Sequence, residues 1–242
     1  MGVGFLRILT VRRIPKWYLG FAAIFFLLLT FVPSILKLMA SDPNQPKAIY
    51  NGNMNEAKVS LACNVFWGEE YLPEMLDILD RYNVKITFFI GGSWAKRNPE
   101  VLKLIVQHGH ELGNHTYSHP HPNALSKEQN KEQIERAEVL IKELTGVRTT
   151  LYAPPYGEFN TTVLEAANEL NYKTIMWSID TVDWKRPPAN VIVSRVMNKM
   201  HKGAIVLMHP TEPTAKALPE LIRRIQESGY SIVPVSSLIG GQ

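Results

Sequence analysis

The hydrophobic positions fall into three regimes along the chain. From Trp17 to Leu36, 20 residues pass without a charge, enough to span a bilayer as one helix. From Ser41 to Glu56 (SDPNQPKAIYNGNMNE) apolar residues are few and Pro, Asn and Asp dominate, the composition of a linker. Beyond it, short apolar runs alternate with segments of helical spacing. Lys58 to Phe66 reads as a strand and Leu72 to Tyr82 as a helix. Val84 to Ile90 (VKITFFI) is a buried strand by its β-branched and aromatic content. Pro99 to His108 has helical spacing, with Pro99 at its start and Gly109 past its end. Ser126 to Leu144 is a long amphipathic helix; Ser126 is its N-cap, Gln129 completes a capping box, and Thr145-Gly146 ends it. Further strands are expected near Thr150–Ala153, Lys173–Ile179, Ala204–His209 and Ser231–Val235. Further helices are expected near Thr161–Leu170, Ala189–Met200 and Thr214–Glu227.

Repeated strand–helix units imply a mostly parallel sheet with helices outside, either doubly wound or closed as a barrel. In both, ligands gather at the C-terminal ends of the strands. Asn64, the histidine-rich run after position 107, Pro154-Pro155-Tyr156, Asp180 to Trp184 and His209 all lie at such ends or on the loops that follow. Polar and aromatic groups from five distant parts of the chain then converge on one face.

Length and charge narrow the classes. A chain of 242 residues holds one sizeable domain and hardly two. Arg7, Arg12, Arg13 and Lys16 precede the apolar run, which places the N-terminus in the cytoplasm and the rest outside. A cleavable signal peptide is the rival reading; the run is longer than a signal core and no clear small-x-small site follows it, which favours an uncleaved anchor. The net charge of +4 belongs to this segment: residues 1–40 hold five basic residues and no acidic one, leaving 21 basic and 22 acidic residues beyond. That balance argues against a nucleic-acid-binding domain. The single cysteine, Cys63, can form no intrachain disulfide and, lying in an apolar run, reads as a core residue.

The candidate chemistry centres on histidine. Five of the seven histidines lie in one stretch, HGHELGNHTYSHPH, from His108 to His121. His115 and His119, four residues apart among small and polar residues, can aim two nitrogens at one divalent metal such as zinc; a histidine-rich surface loop is the plain alternative. Asp180 and Asp183 could equally be turn or cap residues, and His209, at the end of an apolar strand, a core histidine. Trp67, Trp177 and Trp184 suit either a core or a rim on which sugar faces stack.

The order of these segments resembles the polysaccharide deacetylase (NodB-homology) family from about residue 57 onward. The motifs that carry the resemblance are His115-Thr-Tyr-Ser-His119, Pro154-Pro155-Tyr156-Gly157, Asp180-Thr-Val-Asp183-Trp184 and Ile205-Val-Leu-Met-His209. Phe66-Trp67-Gly68 and His209-Pro-Thr-Glu-Pro-Thr are similar to its sporulation-type (PdaB-like and YlxY-like) subgroup, found in bacterial endospore-formers. The resemblance implies a distorted (β/α) barrel over residues 57–242, after a basic segment 1–16, an anchor 17–39 and a linker 40–56. It implies a cell-membrane protein whose domain faces cell-wall glycan, with peptidoglycan as the expected substrate. It further implies metal-assisted hydrolysis of an acetamide, with a divalent metal, zinc first, on His115 and His119, and with a weakened or absent metal site as the alternative. His209 would be the general acid, with Asp180 or Asp183 holding its imidazole. Pro155, Tyr156, Gly157 and Trp184 would bind substrate, and backbone N–H groups near Tyr156-Gly157 would hold the oxyanion.

Three positions depart from the family pattern. Asn64 stands where the family has its general base, Val65 where it has its third metal ligand, and Ala153 where an arginine pairs with the base. Losing the base carboxylate alone would strand a guanidinium at a cost of about 3–5 kcal/mol, so the joint loss of acid and arginine is coherent. Glu69 and Glu70 follow closely and are the candidates for a substitute ligand or base; their alternative is to favour the dipole of the helix that begins near Leu72. An inherited fold that binds glycan without turnover is the competing reading of the whole chain.

Overall fold

The computed structural model describes residues 45–240, so the expected anchor and basic N-terminus lie outside the described residues. Among the described residues no helix is long and apolar enough to cross a membrane. The described residues hold eight strands, in sequence order β1 Lys58–Val65, β2 Thr87–Ile90, β3 Glu111–Asn114, β4 Leu151–Tyr152, β5 Lys173–Thr174, β6 Ile179–Asp180, β7 Ile205–Met208 and β8 Ser231–Ile232. Among the described residues eight α-helices surround them: α1 Leu72–Arg81, α2 Gly92–Arg97, α3 Pro99–Gln107, α4 Lys127–Thr145, α5 Thr161–Glu169, α6 Ala189–Met197, α7 Glu212–Glu227 and α8 Val235–Leu238.

The strands form one parallel sheet in the order β5-β4-β3-β2-β1-β7-β6, with β8 pairing the start of β1. The first and last strands of this order, β5 and β6, are consecutive in sequence, with four residues between them. Extended chain spans about 3.3–3.6 Å per residue, so the two edges must lie close. The sheet therefore curls toward a barrel, the arrangement expected above. Ile49 bridges to Ile175 beyond β5 and Asn51 to Ala204 before β7, which ties both sides of the gap to one segment. Residues 49–52 thus belong to the domain, where the sequence reading put a linker through residue 56. One isoleucine and one glycine in a polar segment are too few to register as a pattern.

The pleat sorts side chains by parity. On β1, Val59, Leu61, Cys63 and Val65 face the helices and join the main core with Leu72, Met75, Leu76 and Leu79 of α1. Ser60, Ala62 and Asn64 take the other face. Ala62 packs there with Phe89 of β2 and Ile205 of β7 in the barrel interior. Gly113 of β3 is required beside Phe89, because an added Cβ would lie 2.4 Å from that ring. The strands are apolar on both faces since helices cover one side and the interior fills the other.

The helix signals act as expected. Ser126 accepts from the Gln129 N–H while Gln129 Oε1 accepts from the Ser126 N–H, and Gly146 closes α4 in the left-handed region at φ 75°. Pro99 opens α3. Two expectations needed correction. The strand expected over Lys173–Ile179 is two, β5 and β6, on opposite edges; Ile175 and Trp177 between them are apolar because they pack in the barrel interior. A strand, β3, runs through the middle of the histidine stretch. Its residues Glu-Leu-Gly-Asn have weak β-propensity, and tertiary pairing with Phe88, Phe89 and Ile90 overrides it.

Candidate active site

The C-terminal ends of the strands surround a cleft of about 470 Å³, lined by Asn64, Phe66, Trp67, His115, His119, Tyr156, Gly157, Trp177, Asp180, Trp184, Leu207 and His209. Parity explains three of these. Asn64 continues the inner face of Ser60 and Ala62, and His209 continues that of Ile205 and Leu207 on the neighbouring strand. Cys63 pairs with Met208, so Asn64 and His209 stand one step further along the same ladder.

His115 leaves β3 directly. Its Nδ1 lies 2.7 Å from the Ala153 carbonyl oxygen; a carbonyl only accepts, so Nδ1 carries the proton and Nε2 keeps a lone pair. Burial foremost, with His119 nearby, pushes its pKa down to about 3. His119 follows on a tight loop in which Thr116 and His119 both have positive φ, 63° and 56°. Its N–H donates to Thr116 Oγ1 at 3.1 Å. Burial lowers its pKa as well. The two rings meet edge to face with centroids 4.9 Å apart, and Phe66 and Tyr156 flank His119 at 4.8 and 4.6 Å. Both imidazoles are therefore neutral near pH 7, the form that ligates or accepts a hydrogen bond.

Asp183, not Asp180, holds His209. Asp183 is fully buried, and its Oδ1 lies 2.8 Å from His209 Nδ1. Its Oδ2 accepts from the His209 backbone N–H and from Thr214 Oγ1, each at 2.6 Å. The carboxylate fixes the Nδ1–H tautomer and leaves the lone pair on Nε2. Asp180 lines the cleft, with Oδ1 accepting from the Val182 N–H at 2.7 Å. Trp67 lies parallel to the His209 ring, centroids 5.7 Å apart and planes 10° apart.

The remaining expected site residues divide. Tyr156, Gly157 and Trp184 line the cleft, whereas Pro155 is buried beneath it. The Gly157 N–H donates to the Pro154 carbonyl within its own turn, which removes it from the expected oxyanion donors. Gly157, at φ 67°, lets Trp177 close in; an added Cβ would lie 2.6 Å from that ring. Val65 is fully buried in the helix-side core and Ala153 in the barrel interior. Glu69 does not turn inward: its Oε2 accepts from the Trp94 indole N–H at 3.2 Å. Neither Glu69 nor Glu70 lines the cleft, so of the two readings of these residues the substitute ligand or base draws no support from the lining. Phe66 and Leu207 were missed, since nothing in an apolar run marks which residue ends beside a cleft.

The expected zinc does not fit this donor set. Two imidazoles face the cleft with Asn64, an uncharged amide, while position 65 offers a methyl surface to the core. Among the described residues no group of three or more His, Cys, Asp or Glu side chains could hold a metal ion, and catalytic zinc ordinarily has three protein ligands.

Comparison with known proteins matches the polysaccharide deacetylase family model over residues 51–175. The chain belongs to this family. It is 42 % identical over 195 residues to the uncharacterised protein YlxY of Bacillus subtilis, a match covering 81 % of this chain and 61 % of that protein. It is 34 % identical over 194 residues to a peptidoglycan-N-acetylglucosamine deacetylase of Bacillus cereus, covering 78 % of this chain and 70 % of the relative. Among solved structures, a Bacillus anthracis protein described as a CE4 family pseudoenzyme superposes with a TM-score of 0.79 at 43 % identity, covering 80 % of this chain and 69 % of the other. A mutant of it, described as having restored enzymatic activity, superposes equally at 41 % identity, with 80 % and 71 % covered.

Proposed function

We propose that this chain is a membrane-anchored, wall-facing protein that holds N-acetylated peptidoglycan glycan in a deacetylase-type cleft without metal-assisted hydrolysis. The observation that carries this reading is the donor set. Position 64 is an amide and position 65 faces the core, so neither gives His115 and His119 a carboxylate partner. Neither position therefore supplies the carboxylate base that would activate a water. The cleft still suits a sugar. Exposed Trp67, Tyr156 and Trp184 rim it, and flat aromatic faces with a polar tip match the alternating apolar and hydroxylated faces of a pyranose. The named activity of the Bacillus cereus relative supports peptidoglycan as the glycan, and the naming of the Bacillus anthracis neighbour as a pseudoenzyme supports the loss of turnover. The charge-free run Trp17–Leu36 behind four basic residues supports the anchor and a domain outside the cytoplasm.

One observation favours the second reading, that of a hydrolase with an altered site. The buried Asp183–His209 pair has the geometry of a general acid and its orienting carboxylate. The experiment that separates the readings uses the full chain in detergent with tetra-N-acetylchitotetraose and with peptidoglycan fragments. Binding is read by calorimetry with and without EDTA, and acetate release is followed in parallel. Binding that is unchanged by EDTA, with no acetate released, is the expected result. Acetate release that disappears in His209→Ala would overturn the binding reading in favour of the hydrolase.

A further inference from the structure

His121, the last residue of the histidine stretch, does not line the cleft, yet it packs on Tyr156, which does. The two rings are nearly parallel, with centroids 4.1 Å apart and planes 11° apart. His121 Nδ1 lies 3.1 and 3.2 Å from the two carboxylate oxygens of Glu158. A carboxylate only accepts, so Nδ1 carries the proton and donates. This contact ties the loop after β3 to the loop after β4, 37 positions on. Tyr156 stands where such a tie matters. It is 57 % exposed at the rim, and its backbone lies in the left-handed region at φ 59°, which few residues with a Cβ adopt. The hydrogen bond from the Gly157 N–H to the Pro154 carbonyl fixes the turn. The direction of the ring is left to what packs against it. His119 does so edge to face at 4.6 Å, and His121 covers one face.

We propose that His121 is a positioning residue of the cleft: held by Glu158, it stacks behind Tyr156 and pre-sets that ring for the sugar without touching the sugar itself. The proposal rests on the glycan-binding reading above and names what fixes one wall of the site. An exposed side chain that is ordered only on binding weakens affinity, and ordering it beforehand removes that penalty. What position 121 must supply is a flat ring, because the stack is made by face-to-face contact. The exposed contact with Glu158 orients the imidazole and adds little energy of its own.

The test measures the affinity of the full chain in detergent for tetra-N-acetylchitotetraose by calorimetry, in EDTA throughout. His121→Ala should weaken binding about threefold, with thermal unfolding unchanged because the His121 side chain is 61 % exposed. His121→Phe, which restores a flat ring, should recover the lost affinity. In a Tyr156→Ala background, His121→Ala should change nothing further, since a residue that acts through Tyr156 then has nothing left to position. A loss of the same size in that background would overturn the proposal, because His121 would then meet the sugar itself or act through His119. Wild-type affinity in His121→Ala, or a folded His121→Phe that binds no better than His121→Ala, would overturn it as well. In each of these cases glycan binding stands. A wild type that does not bind the tetramer would overturn the glycan-binding reading, and this proposal with it.

Discussion

Replacing Asp183 tests whether the site is organised as its geometry implies. The carboxylate is fully buried and accepts three hydrogen bonds, from the His209 N–H, His209 Nδ1–H and Thr214 Oγ1. In Asp183→Ala not all three donors are stranded. Thr214 Oγ1 also lies 2.8 Å from Thr211 Oγ1 and keeps a partner, and the His209 side chain is 17 % exposed and can turn toward water. The His209 backbone N–H cannot move, and an unsatisfied buried donor costs about 1–3 kcal/mol. The carboxylate leaves a void beside it, while its own desolvation penalty is relieved. The net loss should be about 3 kcal/mol, the lower end for breaking a buried charged pair. Asp180→Ala removes a half-buried carboxylate with one local turn contact and should cost under about 1 kcal/mol. Urea unfolding followed by circular dichroism measures both, with the m-value unchanged if only native contacts are lost. Asp183→Ala within 0.5 kcal/mol of wild type (roughly the noise of neutral surface changes), or a larger loss for Asp180→Ala, would refute the reasoning.

Further outcomes follow from other parts of the domain. Ser126→Ala removes half of the α4 capping box and should cost about 1 kcal/mol in the same unfolding assay. Gly68→Ala should cost more than about 2 kcal/mol or prevent folding, because φ is 83° and the new Cβ would lie 2.0 Å from the Pro210 carbonyl oxygen. His110 is buried with Nδ1 accepting from the Ile86 N–H; burial, helped by Lys85 and His108 and opposed by Asp80, pushes its pKa from 6.5 to about 4. The unfolded chain therefore takes the proton first as pH falls. This group's contribution should be full above about pH 6.5 and decline toward pH 4 by up to about 1.4 kcal/mol per unit. His110→Asn, which keeps the acceptor, should remove that one share of the acid decline in a pH series of urea melts and leave the share of the buried His115 and His119. Trp184→Ala and Tyr156→Ala remove exposed rings, so thermal unfolding should be unchanged while calorimetry shows chitotetraose binding weakened by about fivefold each.

Much of the domain was legible from local pattern. The capping box at Ser126, the proline at the start of α3 and the apolar strands β1, β2 and β7 announce themselves, since each rests on interactions within a few residues or on complete burial. The strands missed or misread, β3 and the β5–β6 pair, are those whose own residues do not favour a strand or whose apolar content serves another purpose. Their state is set by neighbours more than 12 positions away, such as Phe89 and Ile205, which no local window contains.

The sequence by itself determined the family and the parallel α/β class, because motif spacing and strand–helix alternation are written in residue order. It also determined the identities of Asn64, Val65 and Ala153, which stand where the resemblance implies a base, a ligand and an arginine. Only the tertiary structure decided what those identities leave behind. Strand parity sends Asn64 into the cleft and Val65 into the helix-side core. The fold of the loop after β6 buries Asp183 against His209 and leaves Asp180 at the cleft wall. Glu69 is drawn to the Trp94 indole and away from the histidines. Each outcome depends on which way a side chain points and what stands opposite it, and direction arises only when distant segments pack together.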